Sequence, residues 1–448
     1  MKEFIVIVAA LSALLSPFAE ALSEEARPVS FRSDIAPILL DHCLACHGAK
    51  KAEGGYRVDS YGELLKAGDS GEPPIPTSAD QESELLRRVI CEDESERMPE
   101  GSEPLKGDQI ELLKNWIAAG ASFDGDDANE MLSLVIPPVQ YADPPQAYAQ
   151  VLPITATVFS PDGTQLVTGG YHELVIWNVA DAVLVRRIKN VGQRVLALAF
   201  SPDGITLAVG GGEPGRSGEV RLIDFASGEI KGVVARTGDV VLDLAYRPGT
   251  DELAIAAADA TIRIVNVKSL EAIRTIASHA DWITAIAWSD DGTRLASASR
   301  DQSAKVYDGA TGELISTYIG HGAAVRGVSI LPENKQVVTV GSDGKLHRWD
   351  IDGAAKVAEI AIGGEGYKLI RNGNRLLVPC SDKRLLNIDL SNNTISQQYI
   401  GHNDWVLTVC RQAGVTDGGW IASGSMDGEV RLWNAADTTL VRSWIAKP

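Results

Sequence analysis

The sequence is short of basic residues, and this limits what it can bind. Its 448 residues contain 41 Lys plus Arg against 60 Asp plus Glu, a formal net charge of -19, and no basic stretch is interleaved with aromatics. DNA- and RNA-binding surfaces need such a stretch, so we expect no nucleic-acid partner and no binding to an anionic membrane surface. The negative field either favours a basic partner or keeps the protein soluble.

Long apolar runs are also scarce. The longest extends from Phe4 to Leu15. A membrane span needs roughly 20 apolar residues. The run follows Lys2 and precedes Ala19-Glu20-Ala21, which is typical of a secretory signal over residues 1–21 that is cut after Ala21. An uncleaved anchor is the alternative. We therefore expect an exported protein, periplasmic in a bacterium, without a membrane span after cleavage.

Cysteine is rare, and two of the five cysteines lie in Cys43-Leu44-Ala45-Cys46-His47. This Cys-x-x-Cys-His pattern is the attachment signature of a c-type haem. Each thiol can form a thioether to one vinyl group, and the following imidazole can bind the iron. The sequence therefore predicts one covalent haem c, held by Cys43 and Cys46, with His47 as proximal ligand.

The other three cysteines are Cys91, Cys380 and Cys410, an odd number in a compartment that permits disulfides. We interpret each as a small buried apolar side chain. A bridge between Cys380 and Cys410 is the alternative.

Apolar residues around the haem motif recur with helical spacing. Phe31, Ile35, Ile38 and Leu39 predict an amphipathic helix from about residue 33 to 42, with Ser33 as a possible cap. Further helices are predicted over residues 83–90 and from 108 to the stop at Gly120. We expect a small all-α domain over residues 22–125.

The iron needs a sixth ligand or an open site. Met98 lies in a polar loop, directly before Pro99, far enough past His47 to reach the opposite haem face. A thioether ligand stabilises ferrous iron and suits an electron carrier. An ordinary core position for Met98, and His42 as ligand, are the alternatives.

These segments resemble the planctomycete-type cytochrome c domain. The resemblance covers Phe31 to Phe123 and includes Cys43-Leu44-Ala45-Cys46-His47-Gly48, Gly54-Gly55-Tyr56-Arg57-Val58-Asp59, Arg97-Met98-Pro99 and Trp116-Ile117-Ala118-Ala119-Gly120. It implies covalent haem on Cys43 and Cys46 and iron ligation by His47 and Met98. Glu100 departs from the family pattern, which usually has a second proline there.

Residues 126–150 are acidic and then proline-rich, which predicts a linker. Within it, residues 132–136 are apolar enough to form a strand or to lie against a neighbouring domain. Beyond it, over residues 151–448, a repeat predicts seven units of four short strands, a seven-bladed all-β propeller. Its markers are spaced by 46, 42, 42, 42, 39 and 45 residues: Trp177-Asn178, Ile223-Asp224, Val265-Asn266, Tyr307-Asp308, Trp349-Asp350, Ile388-Asp389 and Trp433-Asn434.

The units resemble WD repeats, which implies a buried hydrogen-bonded tetrad in the blades that carry the full motif. Two blades match in full: His321, Thr339, Asp343 and Trp349; His402, Ser423, Asp427 and Trp433. A third repeats the motif through His279, Ser297 and Asp301, with Tyr307 in place of the tryptophan. These residues are structural. His172 and His347 remain, and neither has a companion with metal-ligand spacing in the sequence. How the ring closes is left open, between a last strand over residues 439–445 and one over 148–152.

Two blades place an acid and a tryptophan before the inner strand, Asp281-Trp282 and Asp404-Trp405. We interpret these tryptophans as buried packing residues, with a partner-binding rim as the alternative. The whole chain predicts an electron carrier that docks on an unidentified redox partner protein, rather than a catalyst. A redox enzyme whose propeller holds a substrate or second cofactor, and a haem-based sensor with a propeller scaffold, are the alternatives. The oligomeric state is left open.

Overall fold

A computed structural model describes residues 27–48, 51–76, 78, 81–137, 140–414 and 418–448. The predicted signal over residues 1–21 lies outside the described residues. The chain forms a small helical domain followed by a β-propeller, which confirms the predicted fold class. Within the described residues, no helix has the length and apolar character needed to cross a membrane.

The described part of the helical domain contains five α-helices: α1 Ala36–His42, α2 Tyr61–Leu64, α3 Glu84–Ile90, α4 Gly107–Ala118 and α5 Leu132–Val135. A single π-helical turn, Phe31–Ile35, precedes α1. Its cap is Ser30 and not the predicted Ser33, because the Ser30 hydroxyl accepts the Ser33 backbone N–H at 3.0 Å. Helix α4 ends before Gly120, which has the positive φ of 89° that glycine tolerates best.

One apolar core holds the helical domain together. Phe31 lies at its centre, with ring centroids 5.5 Å from Trp116 and 5.1 Å from Tyr61. Leu132 and Val135 of α5 are buried in the same core. The packing of the helical domain therefore continues to residue 136, into the segment for which we predicted a strand or a contact with a neighbouring domain.

The described residues from 157 to 445 form seven antiparallel four-stranded sheets, each built from four consecutive strands. We number the blades 1 to 7 in chain order. Their strands are, in blade 1, β1 Thr157–Phe159, β2 Gln165–Gly169, β3 Glu173–Asn178 and β4 Leu184–Lys189; in blade 2, β5 Arg194–Phe200, β6 Thr206–Glu213, β7 Ser217–Asp224 and β8 Ile230–Thr237; in blade 3, β9 Val241–Tyr246, β10 Glu252–Ala257, β11 Ile262–Asn266 and β12 Ala272–Ile276; in blade 4, β13 Ile283–Trp288, β14 Arg294–Ser299, β15 Ala304–Asp308 and β16 Leu314–Tyr318; in blade 5, β17 Val325–Ile330, β18 Gln336–Gly341, β19 Lys345–Asp350 and β20 Lys356–Ala361; in blade 6, β21 Ile370–Asn372, β22 Arg375–Pro379, β23 Arg384–Asp389 and β24 Thr394–Ile400; in blade 7, β25 Val406–Arg411, β26 Trp420–Ser425, β27 Glu429–Asn434 and β28 Leu440–Ile445.

The predicted repeat markers coincide with the ends of the third strands. Each blade packs on the next through its own apolar cluster, and the last cluster joins blade 7 to blade 1. That closing cluster contains Phe159 and Cys410, and the Ile154 N–H donates to the Ser425 carbonyl at 3.0 Å beside it. Strand β28 is the outer strand of blade 7, and residues 148–152 form no strand. The ring therefore closes by side-chain packing and by this backbone hydrogen bond, without exchange of a strand.

The predicted burial of the three remaining cysteines is confirmed for Cys380 and Cys410 but not for Cys91. Cys380 and Cys410 are buried and unpaired, and Cys91 is half-buried and unpaired. Burial raises the pKa of both propeller thiols to about 12, so they stay protonated. The alternative of a bridge between Cys380 and Cys410 is therefore not realised in this structure.

Ion pairs cross the central channel of the ring. Lys368, which precedes β21 in blade 6, bonds Asp243 of blade 3, whose carboxylate also accepts the Ile286 N–H at 3.0 Å. Arg371 of blade 6 bonds Asp290 beside blade 4. These pairs connect opposite sides of the ring around a cavity of about 250 Å³.

The predicted tetrad is complete in blade 4. His279 lies 2.8 Å from the Asp301 carboxylate through Nδ1 and 2.7 Å from the Ser297 hydroxyl through Nε2. Ser297 in turn lies 3.3 Å from the Tyr307 hydroxyl. Because all four groups are buried or nearly so, each bond replaces water that the fold has excluded.

Blades 5 and 7 differ from the predicted tetrads. In blade 5, His321 contacts Asp343 and Thr339, each at 2.9 Å, but the Trp349 indole N–H is buried without a partner. Trp349 instead stacks on Tyr318, with ring centroids 4.9 Å apart.

In blade 7, His402 and Trp433 share the Ser423 hydroxyl at 2.7 and 2.8 Å. The His402 Nδ1 lies 3.3 Å from Glu429 and not against the predicted Asp427. The Asp427 carboxylate instead accepts hydrogen bonds from the Ser425 hydroxyl and from the Glu429 backbone N–H.

The tetrad of blade 4 predicts a measurable loss of stability. Replacing Ser297 by Ala should lower the free energy of unfolding by about 1–3 kcal/mol, because the buried His279 Nε2 loses its partner. Urea unfolding of the full chain measures this. Ser329→Ala is the matched control, since that buried hydroxyl makes only a 3.5 Å contact. Equal effects of the two substitutions would contradict the role of the tetrad.

Candidate haem site

The residues of the haem motif lie on one turn at the end of α1. The Cys43 N–H donates to the Leu39 carbonyl at 3.0 Å, and the His47 N–H donates to the Cys43 carbonyl at the same distance. Cys46 donates to the Cys43 carbonyl at 3.2 Å. Both thiols are unpaired and half-buried. The structure therefore brings the two thiols and the imidazole together without a disulfide that would block them.

The orientation of His47 fits a metal ligand. Its Nδ1 lies 3.3 Å from the Tyr56 carbonyl, and the two rings meet at an angle of 62°. A carbonyl only accepts, so Nδ1 carries the proton and the Nε2 lone pair is left for iron. The His47 carbonyl accepts the Val58 N–H at 2.8 Å, which holds the histidine backbone as well.

Two glycines let Tyr56 reach the histidine. Gly54 and Gly55 have φ angles of 61° and 65°, which turn the chain back toward the haem motif. The Gly54 carbonyl accepts the Asp69 N–H at 2.7 Å, and the Tyr56 hydroxyl donates to Leu64 at 3.1 Å. The contact between His47 and the Tyr56 carbonyl was not predicted from the sequence, although the Gly54-Gly55 pair indicates the turn that brings Tyr56 there.

Burial controls the charges around the motif. It raises the pKa of the Cys43 thiol to about 12, an effect to which Cys46 adds, and it raises the pKa of Tyr56. Both groups are therefore neutral at pH 7.

Asp41, just before the haem motif, responds to charges of the propeller. Removal from water raises the pKa of its carboxyl, while the positive charges of His42 and of the propeller residues Arg236 and Arg263 lower it. Two propeller arginines thus lie within electrostatic range of the segment that leads into the haem motif.

Met98 lies in a separate loop after α3. Its backbone N–H donates to the Arg88 carbonyl at 3.0 Å, which ties the loop to the end of that helix, and the residue is half-buried. Its role as sixth ligand stays a prediction. His42 is exposed, and its Nε2 lies 3.1 Å from the side-chain amide of Gln109, so it is engaged at the surface by α4.

The predicted rim residues reach the surface. Trp282 is 38 % exposed and Trp405 is 47 % exposed, which contradicts buried packing and agrees with the alternative of an accessible rim. In both cases the carboxylate of the preceding aspartate accepts the backbone N–H of the tryptophan, at 2.7 Å from Asp281 and 2.8 Å from Asp404. The Arg300 guanidinium lies 4.2 Å from the centre of the Trp282 ring.

His347 has companions that its sequence spacing does not reveal. Ligand atoms of His321, Asp343 and His347 lie within 4.8 Å of one another. The two imidazoles stack with centroids 4.0 Å apart and planes 18° apart. Imidazole lone pairs lie in the ring plane, so these run side by side and do not converge on one ion. His172 stacks on Tyr141, with centroids 5.1 Å apart.

A helical domain with a Cys-x-x-Cys-His turn and an oriented histidine, joined to a seven-bladed ring of sheets, defines a cytochrome c-like domain fused to a β-propeller. Comparison with known families agrees. Residues 43–101 match the Planctomycete cytochrome C family. Residues 270–308, 312–350 and 393–434 match the WD domain, G-beta repeat, and these segments contain His279, His321 and His402 of blades 4, 5 and 7. The chain is a fusion of a planctomycete cytochrome c domain with a WD-repeat propeller.

The curated relatives that the chain matches include WD repeat-containing proteins. The WD repeat-containing protein WDS homolog of Arabidopsis thaliana is 31% identical over 120 residues, which are 26% of this chain and 23% of that protein. The human WD repeat-containing protein 36 is 24% identical over 123 residues, 27% of this chain and 13% of that protein. The chain thus spans about a quarter or less of these relatives.

The turn that orients His47 predicts the effect of a small substitution. A Cβ at Gly68 would lie 2.5 Å from the Gly54 carbonyl oxygen and 3.0 Å from Tyr56. Gly68→Ala should therefore displace the turn and lower the free energy of unfolding of the helical domain by about 1–3 kcal/mol. Gly107→Ala is the control, because nothing lies within 4 Å of its Cβ. Thermal unfolding compares the two, and equal stabilities would show that the turn is not constrained there.

Proposed function

We propose that this protein is an exported single-electron carrier. One haem is attached covalently through Cys43 and Cys46, its iron is bound by His47 and Met98, and the propeller docks the haem domain on a redox partner. The observation that carries the proposal is the His47 hydrogen bond to the Tyr56 carbonyl at 3.3 Å, on the same turn as two free thiols.

The residues of the chain have distinct roles in this function. When bound, the haem supplies a one-electron ferrous/ferric couple. Cys43 and Cys46 hold it in place, and Tyr56 fixes the tautomer and plane of the His47 ring. Met98 would hold the iron together with His47 and would keep oxygen and substrates away from it, which favours electron transfer over bond chemistry.

The partner is proposed to be basic. Six carboxylates on both sides of Met98 are exposed: Glu92, Asp93, Glu94, Glu96, Glu100 and Glu103. Only part of this charge is paired, by Arg87 with Glu96 at 2.8 Å and by Arg97 with Glu94 at 3.8 Å. Together with the net charge of -19, these side chains support attraction of a positively charged protein to the haem domain.

Two further features support docking and export. The exposed indoles of Trp282 and Trp405 offer apolar contact area of the kind enriched in interface hot spots. The apolar run before Ala21 supports export, and so does the haem motif, since c-type cytochromes mature outside the cytoplasm. Periplasmic location in a bacterium is the proposed consequence.

Covalent attachment predicts that the haem stays on the chain when the protein is denatured. The wild-type chain, produced with haem maturation and then unfolded, should keep the mass of one haem in a mass spectrum. Cys43→Ser/Cys46→Ser should lose it, since both thioethers are gone. Cys91→Ser should keep it. A chain that carries two haems, or none, would overturn the assignment of one covalent haem.

Six-coordinate iron predicts a specific response to carbon monoxide. The reduced wild-type protein should show no spectral change with the gas, because Met98 occupies its site. Met98→Ala should bind it. Met426→Ala is the control, since that methionine lies in the propeller and is 43 % exposed. Binding of carbon monoxide by the wild type would favour the sensor or enzyme alternatives instead.

A basic partner predicts salt-dependent electron exchange. With mitochondrial cytochrome c as a basic redox probe, the second-order rate should fall about tenfold or more between low and high ionic strength. Glu92→Gln/Glu94→Gln should lower the low-salt rate about twofold to fivefold. Glu313→Gln/Glu333→Gln, which removes two exposed propeller carboxylates, should leave the rate unchanged. A rate independent of salt would contradict electrostatic docking.

A further inference from the structure

The connector between the two domains lies along the edges of blades 1 and 2. From residue 140 to 148 it makes repeated contacts with side chains of β3, β4 and β7. Two tyrosines, Tyr141 and Tyr148, carry most of these contacts. Each tyrosine hydroxyl bonds a carboxylate of one blade, and in both cases that carboxylate is paired with an arginine of the same blade.

Tyr148 is anchored on blade 1. Its hydroxyl donates to the Glu173 carboxylate, which is fully buried, and accepts the Tyr171 N–H at 3.3 Å. Arg187 bonds the same carboxylate at 2.5 Å and lies 5.9 Å from the centre of the tyrosine ring. The guanidinium also donates to the connector backbone, at 2.6 Å to Pro145 and 2.9 Å to Gln146.

Tyr141 is anchored on blade 2 by a matching set. Its hydroxyl donates to Glu219 at 3.0 Å, and Arg221 bonds the same carboxylate at 2.5 Å. The Arg221 guanidinium lies 4.8 Å from the centre of the tyrosine ring. The Tyr141 N–H donates to the Asn190 side chain at 2.9 Å, and the ring stacks on His172.

The charged residues that bind the two tyrosines are buried, so exposing them to water would disrupt their hydrogen bonds. The side chains of Glu219 and Arg221 are only 5 % and 1 % exposed, and that of Glu173 is 0 % exposed. A buried carboxylate needs several donors, and each tyrosine hydroxyl supplies one of them. In blades 1 and 2, all of whose residues are described, no histidine pairs with an aspartate as in blade 4. The connector tyrosines contribute to the buried polar networks of these two blades.

The other end of the connector is held by the helical domain. Helix α5 is buried in the core of that domain and also packs on β8 of blade 2. The Val135 carbonyl accepts Arg32 of the helical domain at 2.9 Å, and the Pro137 carbonyl accepts Arg236 of β8 at 3.4 Å. Both ends of the connector are therefore attached, within a few residues, to the domains they join.

We propose that Tyr141 and Tyr148 are positioning residues that fix the haem domain on the edge of blades 1 and 2 in one orientation. The connector is a strap and not a free tether. The consequence for electron transfer rests on the proposed function: a partner held by the propeller meets the haem at one distance. The geometry of the strap itself does not depend on that function.

Small-angle X-ray scattering of the full haem-loaded chain tests the strap. The wild type should give one compact envelope, and Tyr141→Ala/Tyr148→Ala should increase the maximum dimension, while the visible spectrum and reduction potential of the haem stay the same. Tyr246→Phe is the matched control, because its buried hydroxyl has no partner. An extended wild type, or a double variant as compact as the wild type, would overturn the proposal.

A milder variant covers the case in which the alanines disturb folding. Tyr141→Phe/Tyr148→Phe keeps both rings against their arginines and removes only the hydroxyls. Amide hydrogen exchange over residues 140–148 should then accelerate about tenfold relative to the wild type, while exchange in blade 5 is unchanged. Unchanged exchange over 140–148 would count against the strap. Because neither readout needs electron transfer, a failure here is distinct from a failure of the carrier function.

Discussion

The apolar contact between blades 7 and 1 is the interaction on which the rest of this structure depends. The described strands of blades 7 and 1 stay in separate sheets, so Phe159, Cys410 and their neighbours hold the ring closed mainly through packing, with the Ile154 to Ser425 backbone hydrogen bond beside them. A closed ring keeps the edges of blades 1 and 2 in register, and the strap and α5 attach there. The ion pairs from Lys368 and Arg371 add restraint across the channel. The position of the haem domain thus depends on apolar packing at a distance from it.

The helical domain and the propeller interact through charges near the haem motif and through packing of α5. Cys43 follows α1, and Arg236 and Arg263 of the propeller act on the charge of Asp41 just before it. Helix α5 belongs to the core of one domain and packs on a strand of the other. Such coupling suits the electron-carrier function that we propose, because electron transfer would need a defined approach of the partner to the haem.

Polar networks inside the blades vary more than the blades themselves. Blade 4 has the complete tetrad, blade 5 leaves the Trp349 N–H without a partner, and blade 7 turns His402 toward Glu429. Blades 1 and 2 use tyrosines from outside the repeat. The apolar clusters between blades recur all round the ring, which indicates that packing sets the architecture and that polar contacts adjust individual turns.

Local patterns in the sequence determined the elements: the helix that leads into Cys43, the stop at Gly120, the seven strand repeats and the Cys-x-x-Cys-His turn. These depend on residues close in the chain, whose spacing maps directly onto helical or extended backbone. Only the tertiary structure decided that Tyr56 orients His47, that His347 stacks on His321, and that Tyr141 and Tyr148 hold the connector. Each of those contacts joins segments that are placed relative to one another by packing. The spacing of residues along the chain therefore does not predict the contact.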